Sequence, residues 1–296
     1  GCDMLVRATR IVNATGAWSG NVAALDGQSA RPLRLSKGAH LVIDRASLPL
    51  GSVAVVLPAT SDGRVAFAVP WGDNVLLGTT DTPYDGDPAA VQPEPEDVAA
   101  LLGDATRFLS VQLRRSDVIS AFAGLRPLVA SNAATTATTS REHAVVVTRS
   151  GLVTVTGGKL TTYRRMARDC VDAALQVVPG PWGLSPTARV LLQGAPGLAA
   201  RTVETQRIAR ELDVPTPIIM HLLDTYGADA PRVLALIAAQ AELGQSLVPG
   251  LPYLRAEVVY GARHEGAQTL EDVFRRRTRV ALEDRAGGSA AAADAA

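Results

Sequence analysis

The first 178 residues alternate between short apolar runs and turn-forming residues, a pattern typical of mixed α and β structure. Val6–Asn13 predicts a strand, Ala14–Ala17 a tight turn and Trp18–Leu25 a helix. A strand that ends in a glycine turn and leads into a helix is typical of nucleotide-binding layers. The start of the chain therefore predicts part of such a layer.

A mixed or antiparallel sheet is predicted next, because short apolar runs are separated by turn signals such as Ser61–Gly63 and Gly72–Asn74. One helix interrupts it at Glu96–Ser110, where apolar residues recur at helical spacing. The predicted strands are Leu33–Asp44, Val53–Leu57, Arg64–Val69, Val75–Thr79, Asp117–Phe122, His143–Thr148 and Leu152–Thr156.

The remainder of the chain predicts helices. One helix is expected from about Leu160 to Val177, residues 179–196 are rich in Pro and Gly and predict a linker, and residues 197–286 predict a small all-α domain. The alanine-rich residues 287–296 predict a disordered tail. The expected helices of the all-α domain are Thr202–Leu212, Pro217–Tyr226, Pro231–Gln240, Arg255–Gly261 and Thr269–Leu282.

Composition narrows the class of protein. The 296 residues carry 29 basic and 29 acidic side chains, so no overall basic field for nucleic acid is expected. No apolar run approaches the roughly 18 residues of a membrane helix. The two cysteines suit a reducing cytoplasm. With four scattered histidines they give no metal-ligand spacing, so no metal site is predicted.

Lys37 and Lys159 are the only lysines among the 29 basic side chains. In a chain so rich in arginine, a lysine is expected where the broad guanidinium group cannot replace a slim ammonium group. We therefore expect at least one of the two to be functional.

Thr156–Arg164 is the strongest local motif. Here a strand ends, two glycines let a ligand approach the backbone, and a helix begins with its free N–H groups and positive dipole end. Such an end suits a phosphate, or the carbonyl edge of a flavin that becomes anionic on reduction. An ordinary packing turn with a capped helix explains the motif equally well. The spacing excludes a Walker A loop.

Two further features are candidates for chemistry. His40, in Ser36–His40, is either a hydrogen-bonded core residue or a base that removes a proton from an alcohol. Arg126 and Arg141 each lie at the edge of an apolar run, where two guanidinium groups can hold one phosphate. The alternative for both arginines is a solvated surface position. No Gly-x-Ser-x-Gly elbow and no Gly-x-Gly-x-x-Gly loop is found.

Seven segments together resemble the FAD-dependent glycerol-3-phosphate dehydrogenases in order and spacing. The resemblance is close over about residues 5–178 and weaker beyond. The segments are Val12–Trp18, Ser36–His40, Pro70–Asp73, Gly78–Pro88, Gly124–Leu128, Ser140–His143 and Gly157–Arg164.

The resemblance implies a fold similar to that of D-amino-acid oxidase. Residues 1–178 would form a partial, Rossmann-type FAD-binding layer and a β-sheet substrate layer, and an all-α domain would follow. The implied activity is oxidation of sn-glycerol 3-phosphate to dihydroxyacetone phosphate. The hydride would pass to flavin N5, and the electrons would pass on to a quinone-type acceptor in glycerol catabolism.

Roles for single residues also follow from the resemblance. His40 and Lys159 match catalytic positions, and Arg126, Arg141 and Lys159 match positions that bind substrate. The implied FAD contacts are Thr15, Gly16, Trp18, Gly157, Gly158, Leu160, Thr161 and Thr162.

Location and assembly are further expectations. The resemblance implies a cytoplasmic protein at the inner face of the cytoplasmic membrane, and assembly into a homo-oligomer is also expected. The Arg275–Arg277 cluster is a modest hint of surface attachment, although a solvated basic face explains it as well.

One departure from the family pattern leaves alternatives open. The Gly-rich loop that holds the ADP part of FAD has no counterpart here, so we expect an N-terminally truncated chain that binds FAD weakly alone. A related FAD-dependent amine or amino-acid oxidase is one alternative. A non-catalytic remnant that cannot hold flavin is the other.

Overall fold

The computed structural model describes residues 4–27, 33–58, 64–129 and 142–295. The chain divides into two compact units. An N-terminal unit contains most of the chain up to Arg189, and a C-terminal unit contains Val190 onward together with Val42–Asp44 and Ser116–Ser120. The division therefore falls inside the segment predicted as a linker.

One sheet of the N-terminal unit contains two strands whose carboxyl ends lead into residues of the candidate site. Its strands are β1 (Ile11–Asn13), β8 (His143–Val147) and β9 (Leu152–Gly157), in the order β1-β9-β8. Helices α1 (Ser19–Leu25) and α3 (Tyr163–Leu175) pack on this sheet. Because β1 runs parallel to β9, their carboxyl ends lie at the same edge.

The second sheet contains β2 (Leu33–Asp44), β3 (Val55–Leu57), β4 (Ala66–Trp71), β5 (Asn74–Gly78), β6 (Thr82–Tyr84) and β7 (Val118–Val129). The strand order is β3-β4-β5-β2-β6, and β7 also pairs with β2. Helix α2 (Pro95–Phe108) packs against β3 and β5 through fully buried residues such as Leu101 and Ala105.

Two of the predicted elements have different bounds in the structure. The strand predicted to end at Phe122 continues to Val129, because pairing with β2 overrides the local breakers Gly124 and Pro127. The predicted start of the helix at Leu160 is a 3-10 turn over Leu160–Thr162, and α3 begins at Tyr163. The extension of β7 places Arg126 on a strand.

From Val190 onward the C-terminal unit is mostly helical, and its helices surround an apolar core. A polar group lies within that core: the carboxylate of Glu257 is buried and accepts hydrogen bonds from Tyr226 Oη and the backbone N–H of Leu254, with His221 Nε2 at 2.8 Å. The helices are α4 (Leu198–Glu211), α5 (Thr216–Tyr226), α6 (Ala230–Ala239), α7 (Arg255–His264), a π-helix (Asp272–Arg277), α8 (Val280–Glu283) and α9 (Ala292–Ala295).

The prediction of a disordered tail over 287–296 is wrong for the described part of that segment. A 3-10 turn (Ser289–Ala291) leads into α9, and Ala291 is buried in the cluster that contains Phe274 and Val280. Alanine has the highest helix propensity, and its small side chain fits against this core. Low sequence complexity therefore did not indicate disorder here.

The basic cluster that suggested surface attachment is partly neutralised within its own unit. Arg276 forms ion pairs with Glu271 (3.2 Å) and Asp272 (2.9 Å), and Arg277 interacts electrostatically with Glu265. In the part of the chain that the structure describes, no helix has the length and apolar character needed to cross a membrane.

Candidate active site

His40 lies on β2 and is partly buried. Its ring stacks on Phe122 with 5.2 Å between centroids and 7° between planes. A Cβ atom at Gly78 would lie 2.2 Å from His40 Cδ2, so the ring packs directly on the backbone of β5. Burial lowers the pKa of His40, and the positive charge of Arg126 lowers that pKa further. The imidazole is therefore neutral at pH 7.

Arg126 is fixed by the loop that follows β5. Its Nη2 donates to Thr79 Oγ1 (2.8 Å), and its Nη1 donates to the carbonyl of Thr80 (3.3 Å) and lies 3.5 Å from Asp81 Oδ1. A Cβ atom at Gly38 would lie 2.3 Å from the guanidinium group, so only glycine permits this approach. About a quarter of the side chain (28%) stays exposed, which leaves the group within reach of an anion.

Two of the predicted site residues are thus brought together, since His40 and Arg126 interact electrostatically between neighbouring strands. The second predicted phosphate contact, Arg141, lies outside the described residues.

The diglycine turn forms as predicted at the end of β9. Gly157 and Gly158 have φ values of +72° and +81°, a backbone conformation that favours glycine. The hydroxyl of Thr162 closes the turn, since it donates to the carbonyl of Lys159 (2.9 Å) and accepts from the Lys159 N–H (3.3 Å). Leu160 and Thr161 are exposed on the same turn.

Lys159 lies in the wall of a cavity of about 560 Å³ that Glu142, His143, Thr162 and Arg165 also line. Asp169 orients the ring of His143, because Asp169 Oδ2 lies 3.0 Å from His143 Nε2. The lining combines the cations Lys159 and Arg165 with the carboxylate of Glu142. His40 and Arg126 belong to a different cluster of the same unit.

The other predicted FAD contacts line a third region. Thr15, Gly16 and Trp18 form one wall of a cavity of about 650 Å³, and Leu125 and Pro127 contribute from β7. The buried Asn13 shapes this loop, since its side chain donates to the carbonyl of Ser19 (2.9 Å) and accepts from Thr15 Oγ1 (2.6 Å). The cavity lies at the carboxyl edge that β1 shares with β9.

Sequence reasoning assigned no role to several residues that build this site. Thr79–Asp81 holds Arg126, Phe122 supports His40, and Asp97 of α2 forms an ion pair with Lys37 at 2.8 Å. The unusual lysine at position 37 was the one signal that pointed toward this buried pair. Within the described ranges, no group of three or more His, Cys, Asp or Glu side chains could hold a metal ion.

Comparison with known families agrees with this architecture. The family model described as FAD dependent oxidoreductase matches residues 3–164, more than half of the chain. The model described as the C-terminal domain of alpha-glycerophosphate oxidase matches residues 185–296. The chain belongs to the FAD dependent oxidoreductase family.

Within that family the chain is similar to glycerol-3-phosphate dehydrogenases. It is 38% identical to glycerol-3-phosphate dehydrogenase 2 of Mycobacterium bovis over 94% of this chain and 47% of the relative. It is also 38% identical to the human mitochondrial glycerol-3-phosphate dehydrogenase, over 95% of this chain and 39% of the relative. The chain therefore spans less than half the length of these relatives.

A solved structure shares the fold. The glycerol-3-phosphate dehydrogenase of Bacillus halodurans, determined as a complex with FAD, superposes with a TM-score of 0.82 at 32% identity. The match covers 95% of this chain and 55% of that protein. The fold expected from the sequence, a flavoprotein layer and sheet followed by a helical domain, is confirmed.

Proposed function

We propose that the protein to which this chain belongs oxidises sn-glycerol 3-phosphate to dihydroxyacetone phosphate with FAD, and passes the electrons to a quinone-type acceptor in glycerol catabolism. The similarity to glycerol-3-phosphate dehydrogenases over nearly the whole chain supports the substrate. The reaction belongs to the whole protein, of which this chain matches about half.

The observation that carries the proposal is the pairing of His40 with Arg126. A neutral imidazole can accept a proton, and a fixed guanidinium group can hold a phosphate. Glycerol 3-phosphate needs both functions at once, because its C2 hydroxyl loses a proton while its phosphate carries two negative charges.

FAD fits the carboxyl edge of β1 and β9. Thr15, Gly16 and Trp18 line a cavity there. The turn Gly157–Thr162, at the end of the adjacent strand, presents a backbone with positive φ and the start of a helix. These residues would hold the flavin, which when bound accepts a hydride at N5.

The side chains of this chain would perform the remaining steps. His40 takes the hydroxyl proton, and we assign Nε2 to that task because Nδ1 is enclosed and has no partner among the described residues. Arg126 holds the phosphate, together with Arg141. Lys159 lies in the separate cavity beside the diglycine turn, so it stays a predicted catalytic and substrate-binding residue and we assign it no step at His40 and Arg126.

A steady-state assay of the FAD-loaded protein with an artificial electron acceptor tests the proposal. We expect turnover of sn-glycerol 3-phosphate and none of amino acids or amines. Arg126→Gln should mainly raise KM and His40→Asn should mainly lower kcat, whereas the matched surface variants Arg207→Gln and His264→Asn should resemble the wild type.

The alternatives predict other outcomes in the same assay. Turnover of an amine or amino acid but not of glycerol 3-phosphate identifies the related oxidase, and a colourless protein that never retains flavin identifies the non-catalytic remnant. Replacing the artificial acceptor with a soluble quinone tests the acceptor. Cytoplasmic location, peripheral membrane contact and a homo-oligomer stay predictions.

A further inference from the structure

We propose that Lys37, Asp97 and Thr80 form a buried positioning network that fixes Arg126 for phosphate binding. The geometry of this network does not depend on the proposed function. Its expected consequence, a change in the affinity for substrate, rests on that proposed function. None of the three residues is a catalytic residue, because each acts through Arg126.

The network begins at a buried ion pair. Lys37 is 3% exposed and Asp97 is 5% exposed, and their charged groups are 2.8 Å apart. Glu94 also pairs with Lys37, but 65% of its side chain is exposed. Burial disfavours the charge of Lys37, yet hydrogen bonds to Asp97 and Glu94 outweigh burial and raise its pKa. The lysine is therefore charged.

Thr80 connects the ion pair to the loop after β5. Its hydroxyl accepts from the N–H of Ala39 at 2.8 Å. Burial raises the pKa of Asp97, but hydrogen bonds outweigh burial and lower it, the largest from Lys37 and a smaller one from the Thr80 hydroxyl. Since a hydroxyl has one proton, Thr80 donates that proton to Asp97. The backbone N–H of Thr80 donates to the carbonyl of Ala39 at 3.3 Å, so the residue is held on both sides beside His40.

The loop held in this way binds Arg126. The carbonyl of Thr80 and the hydroxyl of Thr79 both accept from the guanidinium group. The same helix α2 holds the loop at a second point, because Asp104 pairs with Arg64 (3.0 Å), whose Nη1 donates to the carbonyl of Thr79 (3.2 Å). Helix α2 therefore supports both Thr79 and Thr80, the two residues that accept hydrogen bonds from Arg126.

Stability alone is a weak reason for such a pair. A buried ion pair loses about as much free energy by desolvation as it gains by attraction, and apolar replacements are often equally stable. A geometric role explains why charged and hydroxyl groups occupy this position. A guanidinium group displaced by about 1 Å loses much of its binding energy for a phosphate.

The test compares Asp97→Asn and Thr80→Val with two matched variants. Glu94→Gln removes a carboxylate that contacts Lys37 but not Thr80, and Thr80→Ser keeps the hydroxyl. The first readout needs no flavin: the Nε–H signal of Arg126 in ¹⁵N NMR spectra, assigned by its loss in Arg126→Lys. The second is the Kd of sn-glycerol 3-phosphate, measured by anaerobic calorimetry on the protein with its FAD already reduced, so that the substrate binds but is not oxidised.

We expect hydrogen exchange at Arg126 Nε to accelerate about tenfold, and Kd to rise about tenfold, in Asp97→Asn and Thr80→Val. Glu94→Gln and Thr80→Ser should match the wild type, and in Asp97→Asn and Thr80→Val kcat should change less than KM. If Asp97→Asn does not fold, the Thr80→Val and Thr80→Ser pair still decides the question.

The outcomes separate this inference from the proposed function. An Arg126 signal that is unchanged in both test variants overturns the positioning network, whatever the substrate affinity. If the Arg126 signal changes in the test variants but the wild-type protein binds no glycerol 3-phosphate, the result supports the network and overturns the proposed substrate instead.

Discussion

The protonation state of His40 is set by its surroundings, and the reaction we propose depends on it. Burial is the larger cause of its lowered pKa, and the charge of Arg126 is the second cause. A base that is already neutral at pH 7 can accept the hydroxyl proton of a substrate without first losing its own. The residue that we propose as the phosphate contact therefore also lowers the pKa of the residue that we propose as the base.

Arg126→Gln should raise the pKa of His40, because one of the two causes of the shift is removed. The pKa should stay below the ordinary value of 6.5, since burial remains. A ¹H NMR titration of the ring, with the signal assigned by His40→Asn, measures the change, and Arg207→Gln serves as the matched control. A pKa that falls or stays constant would contradict the coupling.

Lys37→Met should strongly destabilise the protein, because it leaves the carboxylate of Asp97 buried without its cation. Breaking a buried pair by removing one partner costs about 3–5 kcal/mol. The exposed pair Arg207–Glu211 offers a control, since Arg207→Met should change the free energy of unfolding by less than about 1 kcal/mol. Equal losses in urea denaturation would show that burial of Lys37 is unimportant.

At the scale of elements, the diglycine turn determines how α3 begins after β9. Both glycines have positive φ, and the hydroxyl of Thr162 completes the turn. A side chain at Gly158 would meet Met166 Sδ at 2.4 Å and His143 Cβ at 3.1 Å. Methionine can move aside, so the backbone conformation is the stronger constraint.

Gly158→Ala should lower the free energy of unfolding by about 1–2 kcal/mol, the cost of a left-handed conformation for alanine. It should also weaken FAD binding, because the turn forms part of the proposed flavin site. Gly103→Ala is the matched control: no atom lies within 4 Å of the added Cβ in α2, and alanine favours helix. If Gly158→Ala is as stable as Gly103→Ala, the turn does not require glycine.

Elements with strong local signals were predictable from the sequence. The bounds of β2, Leu33–Asp44, match the prediction, with the apolar run Leu41–Ile43 in its second half. Strand β7 was predicted too short, since only its pairing with β2 carries it through Gly124 and Pro127. Local sequence cannot show such pairing, and so the strand position of Arg126 was missed.

The candidate site was predictable only in part, for the same physical reason. His40, Arg126 and the diglycine turn were identified from motifs, but their supports come from distant parts of the chain. Lys37 meets Asp97 across 60 residues of sequence, and Phe122 meets His40 across more than 80. Contacts of that separation depend on the packing of α2 and β7 on the sheet.

At the scale of the whole molecule, the N-terminal unit contains every described residue that we assign to flavin or substrate. The C-terminal unit has its own core, supported by the buried carboxylate of Glu257. The glycerol-3-phosphate dehydrogenases similar to this chain are about twice its length, so the remaining FAD contacts we expect lie in sequence that this chain does not match.

The most direct test of the central claim is anaerobic mixing of the FAD-loaded protein with sn-glycerol 3-phosphate while the visible absorption of the flavin is followed. We predict loss of that absorption and formation of one dihydroxyacetone phosphate per flavin, both abolished in His40→Asn. A flavin that stays oxidised with glycerol 3-phosphate, or that is reduced by an amino acid instead, would contradict the account.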